Sequence, residues 1–332
     1  MIDEAPAESP STGGIVATVG RLVGRAMGVS RSPVFRVGFG GLLVGLAIWA
    51  VASKWREVVD AAGQLDARWV VLAMLATVTN VALAGMVWRT VLADLGSTLR
   101  LPVAARIFFV GQLGKYLPGS VWPVVMQTEL GRDHRVPRRR TATATMVALL
   151  LSVTSALVVV LLAVPLAPKA LPDGFGWAVL LVIPLAVLLH PAVLGRLVDR
   201  ALRLAGREGL PERTTLPGTL LATAWAIGSW VGAGLQVWAL AVPLGAPADL
   251  RTAVLVIGGY ALAWAVGFIV IIAPAGVGPR EIVLGAVLSA VLDRPGAVVV
   301  IVLLSRVMFT LVDLGAAGIG LLIGRSHKQT PR

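Results

Sequence analysis

The stretch GQLGKYLPGSVWP, Gly111 to Pro123, decides how the chain is read. It lies in an apolar region, yet it carries Gln112, Lys115, two prolines and three glycines. Proline and glycine break helices. A lysine is costly in hydrocarbon unless it reaches water or a partner. A plain spanning helix has no use for such a stretch. A helix that enters the membrane, breaks and turns back can use it, provided protein or a water-filled cavity covers the freed backbone groups.

The surrounding composition fits a membrane. Of 332 residues, 57% are hydrophobic and 14% charged, with a mean hydropathy of +0.86. The apolar residues cluster in long runs, so the fold class is all-α, polytopic and membrane-embedded. Short alternating strands of an outer-membrane barrel do not fit. The absence of cysteine excludes disulfides, thiolate chemistry and cysteine-ligated metals. His134, His190 and His327 lie far apart in sequence, which argues against a metal site. The net charge of +12 follows from basic cytoplasmic loops and needs no nucleic acid.

Six crossing spans are expected, over residues 34–52, 69–92, 141–164, 175–194, 216–242 and 297–323. Two broken segments are expected as re-entrant hairpins. The first contains Pro118, Gly119, Trp122 and Pro123. The second, over 252–292, breaks at PAGVGP and contains Pro274, Gly276, Gly278 and Pro279. Residues 101–127 are too few for two full spans of about 20 residues each, whereas 252–292 could just hold two. Residues 53–68 are expected as a polar connection and 196–213 as a cytoplasmic amphipathic helix. Residues 1–33 are expected as a partly disordered cytoplasmic segment without a cleaved signal peptide, and 324–332 as a cytoplasmic tail. With both termini inside, most arginines fall on the cytoplasmic side of a bacterial inner membrane.

The transmembrane domain, 34–323, reads as two halves, 34–164 and 175–323. Val87–Trp88, Leu95–Gly96, Leu99–Arg100 and PGSVWP recur as Val237–Trp238, Leu244–Gly245, Leu250–Arg251 and PAGVGP. Asn80 and Gln236 are matched at the later offset. Each half crosses three times, so the second would be inverted relative to the first, an arrangement found in many transporters.

Charges beside the breaks supply a candidate substrate site: Lys115, Arg280, Glu281, Arg306 and Asp313. Arg306 and Asp313 are seven apart and share a helix face. The cations suit an anionic group such as a phosphate, and the carboxylates can hold the arginines or meet a cationic headgroup. The same charges could instead pair with one another and lock the fold. Asn80 and Gln236 read equally as interhelical hydrogen-bond partners or as cavity lining. Glu129 reads as a capping or interface residue. No Ser/His/Asp arrangement, HExxH or P-loop is present, so no catalytic residue, metal or cofactor is expected.

GKYLPGSVWPV, followed by a basic stretch, and PAGVGPRE, followed by an apolar segment, resemble the two signature regions of the lysylphosphatidylglycerol synthase transmembrane-region family. That family includes the flippase domain of bacterial multiple peptide resistance factors and stand-alone homologues. The resemblance spans about 34–323. Pro118, Gly119, Pro274, Gly276, Gly278, Arg280 and Glu281 match its motifs. It implies movement of an aminoacylated or glycosylated lipid between leaflets, by a transporter rather than an enzyme. The substrate would be a phospholipid or a polyprenyl-phosphate-linked lipid. The sequence ends at Arg332 without a soluble aminoacyltransferase domain, a departure from the family's synthases. A separately encoded aminoacyltransferase or glycosyltransferase is therefore an expected partner. A membrane-embedded transferase using a lipid-phosphate donor, or a non-transporting partner of a lipid-modifying enzyme, are the alternatives.

Overall fold

The computed structural model describes residues 52, 55–116, 122–166, 180, 182–204, 214–269 and 278–326, all within the compact unit Val51–Arg332. Residues 34–51 of the first expected span, most of the loop before the fourth, and Pro118, Gly119, Pro274 and Gly276 lie outside the described residues.

The described residues form α-helices and short 3-10 turns, with no strand among them. In chain order the α-helices are α1 (Trp55–Gly63), α2 (Ala67–Asp94), α3 (Leu101–Gln112), α4 (Trp122–Arg132), α5 (Arg138–Ala163), α6 (Val182–Leu188), α7 (Pro191–Leu204), α8 (Leu216–Ala241), α9 (Leu250–Ile269), α10 (Pro279–Ser289) and α11 (Pro295–Ser326). Five segments are long and apolar enough to cross a membrane: Ala67–Asp94, Arg138–Ala163, Leu216–Leu244, Leu250–Phe268 and Pro295–Leu322. The chain is a multi-pass membrane protein.

Two expectations are amended. The polar connection before α2 contains the helix α1, whose Ala61 is buried while Trp55 and Val59 stay exposed. Of the 175–194 span, residues 180 and 182–194 are described, and they hold the seven-residue α6, a turn at Leu189–His190 and the start of α7 at Pro191. On α7, Arg196, Arg200 and Arg203 sit at helical spacing on an exposed face and Leu194 is buried, an amphipathic pattern as expected.

α2 and α8 pack together along their length. Gly228 and Gly232, four apart on α8, face this contact. A Cβ on Gly232 would stand 3.1 Å from the Ala76 carbonyl oxygen and 3.2 Å from the Asn80 nitrogen. Small residues at this spacing let two backbones approach. At the crossing, Asn80 Nδ2 donates to the Ser229 carbonyl (2.7 Å) and hydroxyl (2.9 Å), and the Ser229 hydroxyl donates to the Asn80 carbonyl (3.2 Å). Of the two readings of Asn80, the structure supports the interhelical one. Gln236 behaves likewise. It is fully buried and accepts from the Ser305 hydroxyl at 3.0 Å, tying α8 to α11.

Both long helices stop in the same way. After α2, the Gly96 N–H bonds the Ala93 carbonyl and the Ser97 N–H the Leu92 carbonyl. After α8 and its 3-10 turn Val242–Leu244, the Gly245 N–H bonds the Val242 carbonyl and the Ala246 N–H the Ala241 carbonyl. This is a Schellman cap, which needs a left-handed residue. Gly96 (φ 82°) and Gly245 (φ 110°) supply it.

α3 and α4 pack as a pair, with the 3-10 turn Leu113–Tyr116 extending α3. Gly111 lies against Gln127, and Gly114 against Trp122 and Pro123, so the two arms run antiparallel. α3 and α4 have 12 and 11 residues, about 17 Å each, roughly half a crossing length. Gln127 is buried and accepts from the Thr145 hydroxyl at 2.6 Å, and Trp88 Nε1 donates to that hydroxyl at 3.1 Å. A Cβ at Gly114 would stand 2.7 Å from the backbone of Trp122 and Pro123. Because backbone cannot swing aside, Gly114→Ala is expected to part the arms and to cost about 1–3 kcal/mol. Thermal unfolding in detergent checks this; an unchanged midpoint would contradict it.

α9 and α10 form the second pair, closed where Gly259 meets Val287. Its arms are unequal, with 20 and 11 residues.

Hydrogen bonds gather the connections into two ends. At one, Asp94 accepts from the Thr215 N–H (2.7 Å) and hydroxyl (2.6 Å), and Arg140 donates to the Gly96 carbonyl (3.1 Å) and Ser97 hydroxyl (2.9 Å). At the other, Arg294 donates to Gln64 Oε1 (2.8 Å) and the Leu244 carbonyl (3.5 Å). Asp66, which caps α2 there, has its carboxyl held down at about 2 by hydrogen bonds from Arg68.

Candidate functional site

The site is built around one face of α11. Arg306, Phe309, Thr310 and Asp313 stand at i, i+3, i+4 and i+7, so they share that face. Arg306 lies about 16 Å along the helix from Pro295, and Asp313 about 14 Å from Leu322, at 1.5 Å per residue. Both are therefore near mid-depth of the apolar window Pro295–Leu322.

The first hairpin reaches Asp313. Lys115 Nζ lies 2.6 Å from Asp313 Oδ2, and the Tyr116 hydroxyl donates to the same oxygen at 2.6 Å. Asp313 is only 5% exposed, so its charge is neutralised by the 3-10 turn that closes α3. A hairpin arm ending in a polar turn suits this position: the turn's side chains meet a carboxylate instead of lipid.

The second hairpin reaches Arg306. α10 starts at Pro279, preceded by Gly278 at φ 99°, a backbone conformation that favours glycine. Glu281, in the first turn, accepts the Gly278 N–H at 2.6 Å through Oε2. That satisfies one of the helix's free donors and places negative charge at its positive end. Glu281 Oε1 lies 3.4 Å from Arg306 Nη1. Arg280 is held differently. Its guanidinium donates to the Tyr260 hydroxyl and lies over the Tyr260 ring (4.8 Å) and the Phe309 ring (5.3 Å), which stack on each other at 5.7 Å.

All five candidate charges thus come together on α11, the 3-10 turn that follows α3 and the first turn of α10. Two carboxylates are each matched by a cation, Asp313 by Lys115 and Glu281 by Arg306. Three cations against two carboxylates leave one positive charge over. Arg280 has no carboxylate partner among the described residues, so the excess resides there. Tyr116, Tyr260 and Phe309 were not among the residues singled out from sequence. A signal existed, because the chain has only two tyrosines and both are here. Trp122 and Pro123 lie against Gly114 at the closure of the first hairpin. Glu129 pairs with Arg138 at 2.7 Å on an exposed surface, away from these charges. No group of acidic or histidine side chains suited to a metal occurs among the described residues.

A comparison with curated proteins found no match. A family comparison did: residues 35–315, most of the chain, match the family described as Lysylphosphatidylglycerol synthase TM region. That span includes both hairpins and every charge of the α11 site, and the chain belongs to this family.

Proposed function

We propose that the protein is a flippase-like transporter that carries an anionic, aminoacylated or glycosylated lipid between the leaflets of the bacterial inner membrane. The observation that carries this reading is the meeting of two helix pairs, α3–α4 and α9–α10, on the mid-depth charges of α11. A lipid headgroup would bind there while its acyl chains remain in the bilayer, as in transporters whose sites lie between broken helices. Arg280 would receive a phosphate oxygen through its planar fork. Glu281 and Asp313 would hold Arg306 and Lys115 and offer acceptors to an aminoacyl ammonium or a sugar hydroxyl.

Many transporters are built from inverted halves, and several local features support them here. α2, α3, α4 and α5 are followed in order by α8, α9, α10 and α11. The glycine caps at Gly96 and Gly245 recur at an offset of 149. Asn80 and Ser229, joined by reciprocal hydrogen bonds, stand at the same offset, as residues beside a pseudo-twofold axis would. This offset differs from that of Asn80 and Gln236, which stand 156 apart. Each hairpin also begins and ends at one end of the bundle. Arg140, after the first, is bonded to Gly96 before it, and Arg294, after the second, to Leu244 before it. These contacts support a re-entrant reading of both hairpins, in which α9, although long enough to cross, turns back into α10. Arg100, Arg132, Arg138 and Arg140 cluster at the end where the first hairpin opens, so that end is cytoplasmic by the positive-inside rule.

The cysteine-free chain makes the topology directly testable. Single cysteines at Ser97 and Asp133 are expected to react with an impermeant maleimide from the cytoplasmic face, and those at Ala248 and Asp293 only from the opposite face. Any hairpin whose two flanks label from different faces would overturn re-entry. For transport, purified protein in liposomes should accelerate transbilayer movement of headgroup-labelled phosphatidylglycerol, lysyl-phosphatidylglycerol or a polyprenyl-phosphate glycolipid. Failure with all three lipids under an imposed pH or sodium gradient would overturn it.

A further inference from the structure

We propose a second anion site, centred on Arg106, that holds the phosphate of an anionic phospholipid from the leaflet on the side where the first hairpin opens. It lies apart from the α11 charges and stands whether or not the protein transports lipid. Arg106 is the one charged residue of α3, LPVAARIFFVGQ. Its Nε is buried and has no hydrogen-bond partner, and no carboxylate among the described residues pairs with it. The residue as a whole is half-buried, so one shielded donor goes unmet, at a cost of about 1–3 kcal/mol, while the terminal nitrogens stay open to an anion. Few other charges at this end can supply the missing anion. Glu129 is taken by Arg138, and Asp94 by Thr215. Asp133 is exposed beside Arg132, and Arg100, Arg132 and Arg140 are cations that would attract the same anionic lipid.

The position selects a lipid over a soluble anion. Arg106 packs against α11 at Gly320, where a Cβ would stand 3.1 Å from the Arg106 Cα. Gly320 is two residues from the end of the apolar window at Leu322, which is headgroup depth. Ile319 and Leu321, on either side of Gly320 in α11, are exposed, as is Leu101 at the start of α3. A phosphodiester on Arg106 would thus have apolar side chains along which to lay its acyl chains. A free phosphate would use none of them. Further along α3, Lys115 lies about 14 Å from Arg106 at helical rise. A lipid held here would sit at the foot of the α3–α11 seam that ends at Asp313.

The test is lipid retention by the full chain, measured by native mass spectrometry and by the rise in melting temperature on adding phosphatidylglycerol. Wild-type protein is expected to retain one more phosphatidylglycerol than Arg106→Gln and to show a melting shift that the variant loses. Arg106→Lys should bind about tenfold more weakly, having charge without the fork. Arg56→Gln, an exposed arginine of α1 at the end of the bundle bearing Gln64, should match wild type. Phosphatidylcholine and millimolar inorganic phosphate should give neither retention nor shift. Equal retention in wild type and a folded Arg106→Gln would overturn the proposal. So would an inorganic-phosphate effect as large as that of phosphatidylglycerol. Because no transport is measured, the result is separable from any failure of the flippase reading.

Discussion

Asp313→Ala is expected to abolish lipid movement and to destabilise the protein by about 3 kcal/mol, the lower end of the range for breaking a buried ion pair. Asp313 Oδ2 accepts both the Lys115 ammonium and the Tyr116 hydroxyl, each at 2.6 Å. Removing it leaves an ammonium and a hydroxyl without their acceptor near mid-membrane. The lower end applies because the Lys115 side chain is 34% exposed and part of its charge can relax outward. A second variant separates stability from transport. Replacing both partners, Lys115→Met with Asp313→Leu, removes the pair without stranding either charge, and such replacements are often close to neutral for stability. The double variant should therefore melt near wild type in nanodiscs and still fail to move lipid. Recovery of transport along with stability would mean that the pair only locks the fold.

The candidate charges were legible in the sequence because charge inside an apolar run is costly and rarely idle. Arg306 and Asp313, seven apart, already implied a common face, and Lys115 stood out beside Pro118. The pairing was not legible. Arginine 306 joins Glu281 and Asp313 joins Lys115 because of where two hairpins end, and that is set by backbone approach at Gly114 and Gly259. Tyr260 was missed for a related reason. It lies 20 positions before Arg280, and only the antiparallel closure of α9 on α10 brings it under that guanidinium.

The fold was read best where a local rule suffices. The long apolar helices α2, α5, α8 and α11 follow from runs that exceed a bilayer's thickness. The repeated Leu–Gly at 95–96 and 244–245 proved to be two copies of one cap, since a Schellman turn needs a left-handed residue and glycine tolerates it. α1 was hidden because WREVVDAAG is charged and short. Its burial of Ala61 depends on packing against α11, which no nine-residue window reveals. The sequence offered no sign that Asn80 meets Ser229, because that contact depends on how closely α2 and α8 approach at Gly232.

Arg280→Gln is expected to lower the rate of lipid movement about 10- to 100-fold, the loss of one charge-assisted hydrogen bond to phosphate at roughly 1.4 kcal/mol per tenfold. Its effect on stability should be small, because no carboxylate is stranded when the guanidinium goes. The loss is confined to the Tyr260 hydroxyl bond and the two ring contacts, about 1–2 kcal/mol in all. Arg280→Lys keeps the charge but cannot lie flat on Tyr260 and Phe309 while presenting two donors, so an intermediate rate is expected. The substrate's own charge gives a sharper test. A lipid analogue with a neutral group in place of the phosphate should move equally slowly through wild type and Arg280→Gln, since the guanidinium then has nothing to receive. If wild type still moved the neutral analogue at the full rate, the excess positive charge would have no part in recognition. Arg280 would then be a structural clamp between α9, α10 and α11, and the substrate's phosphate would have to be bound elsewhere.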